Sequence, residues 1–180
     1  MVLDPAIAYL LAAAFALLLA AAALHKLRDP SRFVEVFGAY RIVPQGLTRV
    51  ALLVPVLELS IAATLLMTRS RAAAAASGAL LLCLYAAAMA LNLARGRREL
   101  SCGCGGPNDR RPIAAWMVLR NVLLALALAA LLLPQSPRPL AVTDLLTVGA
   151  GTAVVALLYM SLEQLLGRLA PRAALLRETP

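Results

Sequence analysis

The feature that most limits this chain is a run from Pro5 to Leu24, twenty residues without a charge. At 1.5 Å per residue such a helix is about 30 Å long, the thickness of a bilayer's hydrocarbon core. Four more apolar runs follow. Val50 to Thr68 is broken only by Glu58, and Ala72 to Ala94 holds no charge. The stretch between Arg111 and Arg138 is broken only by Arg120, and Leu145 to Leu162 lies between Asp144 and Glu163. Backbone in lipid must satisfy its own N–H and C=O groups, which directs these runs to helices. The expected fold is an all-α polytopic transmembrane helical bundle in a single domain, 1–180. Four core spans fall at about 5–24, 50–68, 72–94 and 112–133. A fifth, at 143–165, is the shortest; it contains Gly149 and Gly151 and could instead lie shallow.

Composition agrees. The chain is 62% hydrophobic and 14% charged, against about 45–50% and about 25% in soluble domains. The same numbers exclude disorder. A cleaved signal peptide needs a positive n-region, but the chain starts Met-Val-Leu-Asp-Pro and its first basic residues follow the run, so the first helix is expected to be retained. The net charge is +8, and every basic residue except Lys26 is arginine. These arginines sit between apolar runs, without the aromatic interleaving of single-strand binders. The expected partner of the charge is therefore the lipid bilayer and not nucleic acid.

The connections differ in kind. Ser70 lies in a very short turn, which makes the second and third spans antiparallel neighbours, and Pro134 to Pro139 is another tight turn. The stretch from His25 to Arg49 is long and amphipathic. Phe33, Phe37 and Tyr40 recur in it at helical spacing, predicting a short interfacial helix with one aromatic face, stopped near Pro44. Ala74 and Gly78 form a small-x-x-x-small pair that would let helices approach closely. With five spans, thirteen Lys and Arg collect on one side and three on the other. The positive-inside rule then puts the first and third connections and the C-terminus in the cytoplasm.

The third connection, 95–112, carries Cys102-Gly103-Cys104-Gly105-Gly106-Pro107. Glycines allow the bend that two cysteines one residue apart need to close a disulfide. Strained, exposed disulfides are the reducible ones, and nearby Arg98, Arg110 and Arg111 favour the attacking thiolate. Three readings stay open: a redox-active pair, a soft-metal site and an inert pair. A closed zinc site wants four ligands, and only His25 on the same face offers a third, so no metal set is assigned. His25 could deprotonate a thiol or bind a quinone oxygen, or be an ordinary interfacial histidine. Cys83, mid-run, reads as a small buried hydrophobe.

Glu58 and Arg120 are the charges inside spans, and intramembrane charges pair or mark a pathway. Both helices begin on one face, so the two are expected to interact. Asn121 is placed to hydrogen-bond across helices, and Asn92 is a further polar candidate.

These residues carry a resemblance. Cys102-Gly103-Cys104-Gly105-Gly106-Pro107, then Trp116 and Arg120-Asn121, together with His25-Lys26-Leu27, Phe33, Tyr40, Pro44, Pro55 and Glu58-Leu59, resemble the methylamine-utilisation protein MauE family. That family is similar to the DoxX group of small four-helix membrane proteins. The likeness covers most of Ala14 to Leu133, although family members often have an aromatic residue where this chain has Gly106. The resemblance implies a multi-pass protein of a bacterial cytoplasmic (inner) membrane that helps to mature methylamine dehydrogenase, a disulfide-rich enzyme, beside a thioredoxin-like, MauD-like partner. Its implied activity is thiol–disulfide exchange, with Cys102 or Cys104 attacking and the other resolving. His25, Glu58, Arg120 and Asn121 would support the pair, and a quinone is the candidate acceptor. The alternatives are a non-catalytic assembly or small-molecule-binding subunit and a soft-metal carrier. Disulfide formation belongs outside the cytoplasm, whereas the arginine count puts the pair inside.

Overall fold

The computed structural model describes residues 2–101 and 112–175. Cys102, Cys104, Arg110 and Arg111 lie outside the described residues. The described chain is all helix apart from turns and two isolated bridges: α1 (Pro5–Arg28), α2 (Pro30–Ala39), α3 (Leu53–Leu65), α4 (Arg71–Ala94), α5 (Ala115–Ala129) and α6 (Val142–Leu175). A 3-10 stretch, Gln45–Leu52, leads into α3, and another, Ala130–Leu132, tightens the end of α5. Five of these helical segments are long and apolar enough to cross a membrane.

Local signals set the helix ends. Pro5 opens α1, and the Asp4 side chain accepts from the Ala6 N–H at 2.8 Å, satisfying a backbone donor that the first turn leaves orphaned. Arg138, hydrogen-bonded to Asp4, and the Ala6 N–H hold its carboxyl below the usual range. Asp29-Pro30 ends α1 and starts α2, where Asp29 accepts from the Arg32 N–H at 3.0 Å. That bond, and another from Ser31, lower the Asp29 pKa. Arg41, at φ 50°, ends the second helix in the left-handed region, a common helix stop.

The spans form a ring. α1 packs on α3, α3 on α4, α4 on α5, and α5 returns to α1. Phe15, Leu19, Leu65, Leu82, Leu128 and Leu131 fill the interior with small alanines between them. α6 runs along α1 outside the ring, and none of its residues from 142 to 166 is buried. Gly151 admits the Leu10 side chain at that contact.

Ala74 and Gly78 work as the small pair suggested. Both are buried on α4, and a Cβ at Gly78 would lie 2.7 Å from Leu128 Cδ2 and 3.3 Å from Ile61 Cγ2. Gly78→Ala is therefore expected to destabilise the bundle by about 1 kcal/mol. Overpacking costs roughly 1–3 kcal/mol and outweighs the roughly 0.5–1 kcal/mol that alanine gains in a helix. Thermal unfolding in detergent checks this; a stability equal to or above wild type would show that Leu128 moves aside freely.

Cys83 corrects one expectation. It lies on the exposed face of α4, turned away from the bundle interior. Its position along the run gives its depth but not its direction around the helix.

Candidate functional site

The termini and connections sort onto two ends of the bundle. At one end the Leu3 N–H donates to the Pro134 carbonyl at 2.8 Å, and Ser136 N–H donates to Leu3 O at 3.0 Å. Arg138 bridges Asp4 and Asp144 there. At the other end lie the C-termini of α1 and α4, all of α2, and the start of α5. Ser101 and Pro112 form an antiparallel bridge at this end, and the Ile113 N–H donates to Leu100 O at 2.9 Å. The described residues that flank Cys102 and Cys104 in the chain are thus paired at one neck.

Polar contacts fasten that neck to α2. The Tyr40 hydroxyl donates to Ser101 O at 3.2 Å. Asn92 is fully buried, and its amide donates to Tyr40 O at 3.2 Å and Ala88 O at 3.0 Å. Arg97 donates to Asn92 Oδ1 at 2.9 Å and to Ala39 O at 2.7 Å. The Ala39 and Tyr40 carbonyls close α2, where helix ends leave acceptors without intrahelical partners. Tyr40, Met89, Ile113 and Met117 pack beneath as a second apolar cluster. The sequence puts Asn92 among the polar candidates; Arg97 reads there only as a topology charge.

Beside this cluster sits a buried ion pair. Lys26 Nζ donates to both oxygens of Glu58, at 2.6 and 2.8 Å, and the Tyr85 hydroxyl donates to Glu58 Oε1 at 2.7 Å. The side chains of Lys26 and Glu58 are 3% and 0% exposed. The ammonium also lies 5.6 Å from the Phe33 ring centroid and 5.5 Å from that of Tyr85, within the range of cation–π attraction.

The expected Glu58–Arg120 contact is not formed. α3 packs against α1 and α4, so Glu58 meets Lys26 of α1. Arg120 instead pairs with Glu163 of α6 and stacks near Trp116, 5.5 Å from its ring centroid. Asn121 is buried, and its amide donates to Met117 O at 2.8 Å, one turn back in its own helix. His25 is half-buried in the last turn of α1. Lys26, the next residue, is the one that turns inward.

A cavity of about 90 Å³ opens between α2 and α4, lined by Phe33, Phe37 and Tyr40 on one side and Tyr85 and Met89 on the other; Lys26 also touches it, and its wall is almost wholly apolar. The aromatic spacing read in the sequence therefore faces a cavity. Tyr40 belongs to both features, since its ring lines the cavity and its hydroxyl holds the neck.

Comparison with known proteins gives a consistent picture. Residues 4–134 match the family model described as methylamine utilisation protein MauE. A methylamine utilization protein MauE of Paracoccus denitrificans is 37% identical over 178 residues, covering 96% of this chain and 94% of that protein. Its counterpart from Paracoccus versutus is 41% identical, covering 91% and 89%. That from Methylophilus methylotrophus is 37% identical, covering 93% and 90%. No solved structure matches the chain.

Proposed function

The chain belongs to the methylamine utilisation protein MauE family, and from that premise we propose that it is a membrane component of thiol–disulfide exchange in the maturation of a protein of methylamine utilisation. Cys102 or Cys104 attacks a disulfide of a thioredoxin-like, MauD-like partner, and the other cysteine resolves the mixed disulfide. The partner leaves as a dithiol, the Cys102–Cys104 bond forms, and electrons and protons balance between the two pairs. The reading places the protein in the cytoplasmic membrane, with the neck end facing the cytoplasm on the arginine count.

The neck carries this reading. Ser101 and Pro112 are paired, Tyr40 and Arg97 anchor their surroundings, and the cysteines lie between them in the chain. A short polar glycine-rich segment held at a closed base suits presentation of a thiol to a partner. Arg97 and Arg98 add positive charge that favours a thiolate.

Mass spectrometry of the purified protein tests the pair. The expected result is a loss of two hydrogens across Cys102 and Cys104 that mild reductant restores, with no such change at Cys83. Cys102→Ser/Cys104→Ser is expected to abolish partner maturation. Maturation that survives in this variant would overturn the redox role in favour of an assembly subunit. A soft metal bound one-to-one, and lost in the variant, would point to a carrier. In intact cells, labelling of the reduced pair by an impermeant maleimide only after the membrane is opened supports the cytoplasmic face; labelling beforehand reverses the topology and leaves the chemistry standing.

A further inference from the structure

We propose that the cavity between α2 and α4 holds an acyl chain of an anionic phospholipid, whose headgroup meets the exposed arginines Arg28 and Arg41.

The wall selects the chain. It sets the aromatic side of α2 against Val54, Ala88 and Met89, and it is almost wholly apolar. Lys26 touches it, but the Lys26 ammonium is held by both oxygens of Glu58. An internal water needs about two to four polar partners, and this wall supplies almost none, so a lasting occupant is apolar. The Phe33 and Phe37 rings are tilted by 54° and present no parallel faces to a flat ring. A flexible hydrocarbon follows the angle between them and removes its methylenes and the wall from other contacts together. The cavity, about 90 Å³, is several times the roughly 10–15 Å³ that one water occupies on the same measure. That suits a stretch of chain and not a whole lipid.

Depth agrees. α4 ends at Ala94, so Met89 and Tyr85 lie about 8 and about 14 Å inside that end at the helical rise. Val54 is the second residue of α3, and Lys26 stands two before the end of α1. This is the layer of the first methylenes beneath the headgroups. A chain lying there brings its phosphate level with the helix ends.

Charge at that level selects the headgroup. In the connections 25–52 and 95–101, Arg28, Arg41, Arg49, Arg95 and Arg98 are exposed, against exposed Glu35 and Glu99. Arg41 stands between Tyr40 and Ile42, and Arg28 two residues beyond Lys26; Tyr40, Ile42 and Lys26 all line the cavity. Clustered basic residues at a membrane surface attract anionic lipids, and a zwitterionic headgroup lacks that net attraction. Binding stands whether or not Cys102 and Cys104 are redox-active.

The test uses full-length protein in phosphatidylcholine nanodiscs with a trace of phosphatidylglycerol that carries a diazirine in one acyl chain. After illumination, peptide mass spectrometry locates the adducts. They are expected on Phe37, Tyr85 or Met89, in excess of those on Leu84, which lies on the exposed face of α4 and reports bulk lipid. Added unlabelled phosphatidylglycerol should remove the cavity adducts, and the same amount of added phosphatidylcholine should not. Arg28→Gln/Arg41→Gln, at two exposed positions, should lower their yield about tenfold. Ala88→Phe, which fills the cavity, should lower it as far and leave the Leu84 adduct unchanged. The wild-type map and the arginine variant do not depend on the folding of Ala88→Phe. Adducts with no excess in the cavity, adducts that phosphatidylcholine removes equally well, or a yield that either variant leaves unchanged overturns the proposal. So does another apolar molecule that the purified protein retains there and phosphatidylglycerol does not displace.

Discussion

Lys26→Met and Glu58→Gln, made singly, are each expected to destabilise the protein far more than the two together. Either change alone strands a group that the fold has taken out of water. Lys26 would lose its carboxylate partner, and Glu58 would keep only Tyr85 as a donor among the contacts described. Breaking a buried pair from one side costs about 3–5 kcal/mol, whereas replacing both partners is often close to neutral. The double variant keeps an acceptor for Tyr85 in the side-chain carbonyl of the new glutamine and buries no charge, so its loss should stay within about 2 kcal/mol by the same reasoning. Unfolding in mixed detergent, read for wild type, both singles and the double, gives the coupling directly. Additive losses would mean that the pair is not coupled in solution. A coupling of the same size between Glu58 and Arg120 would restore the pairing expected from depth alone.

That misassigned pair shows what the sequence can and cannot convey. Charge-free runs of bilayer length determine the helices and their order, because lipid leaves the backbone no other choice. Depth and end are also legible: Glu58 and Arg120 each lie about eight residues into a run that starts from the same end. Direction around the ring is not. Run length says nothing of which helices are neighbours, and α3 turns out to lie against α1 and α4.

A usable signal for Lys26 is nonetheless present. Ala8, Ala12, Phe15, Leu19 and Ala23 are buried along α1 at steps of three and four, the mark of one helix face. The next step lands on Lys26. It reads only as a topology charge because it falls beyond the uncharged stretch, yet α1 continues to Arg28 and stops only at Asp29-Pro30. Arg71 is hidden in the same way. By sequence it belongs with Arg69 in the short turn, but it is buried, its Nε donates to Leu65 O at 3.2 Å, and its guanidinium lies 4.0 Å from the Tyr9 ring centroid. In both cases an exposed-looking charge next to a span closes a helix face or a helix end. The aromatic face of α2 is legible because Phe33, Phe37 and Tyr40 share one period. What they face is not, since it depends on α4 returning to the same end.

The other large effect is expected at the neck. Asn92→Leu should destabilise the protein by about 2–4 kcal/mol, since a hydrogen bond to a charged group is worth about 1.5–3 kcal/mol and stranded buried partners add their own penalty. Asn92 is fully buried between three groups that need it: the carbonyls of Tyr40 and Ala88 accept from its amide, and its oxygen accepts from Arg97. Leucine has a similar volume and offers none of these atoms, so the loss is one of hydrogen bonding and not of packing. The local consequence is as informative as the global one. Without Asn92 the end of α2 is held more loosely to α4, and Tyr40, which holds the base of the cysteine segment through Ser101, loses its hydrogen bond from the Asn92 amide and keeps the longer one from Arg97. Cys102 and Cys104 should then alkylate faster after reduction, while Cys83, further back on the exposed face of α4, keeps its wild-type rate. Asn92→Asp retains the acceptor for Arg97 but not the donor to Tyr40, so it should keep Arg97 seated and still loosen α2. If neither variant changes the cysteine alkylation rates, the neck is not what governs presentation of the pair. A change that Asn92→Leu and Arg97→Ala produce alike, and that Asn92→Asp produces in part, is what a polar clamp between α2 and α4 predicts.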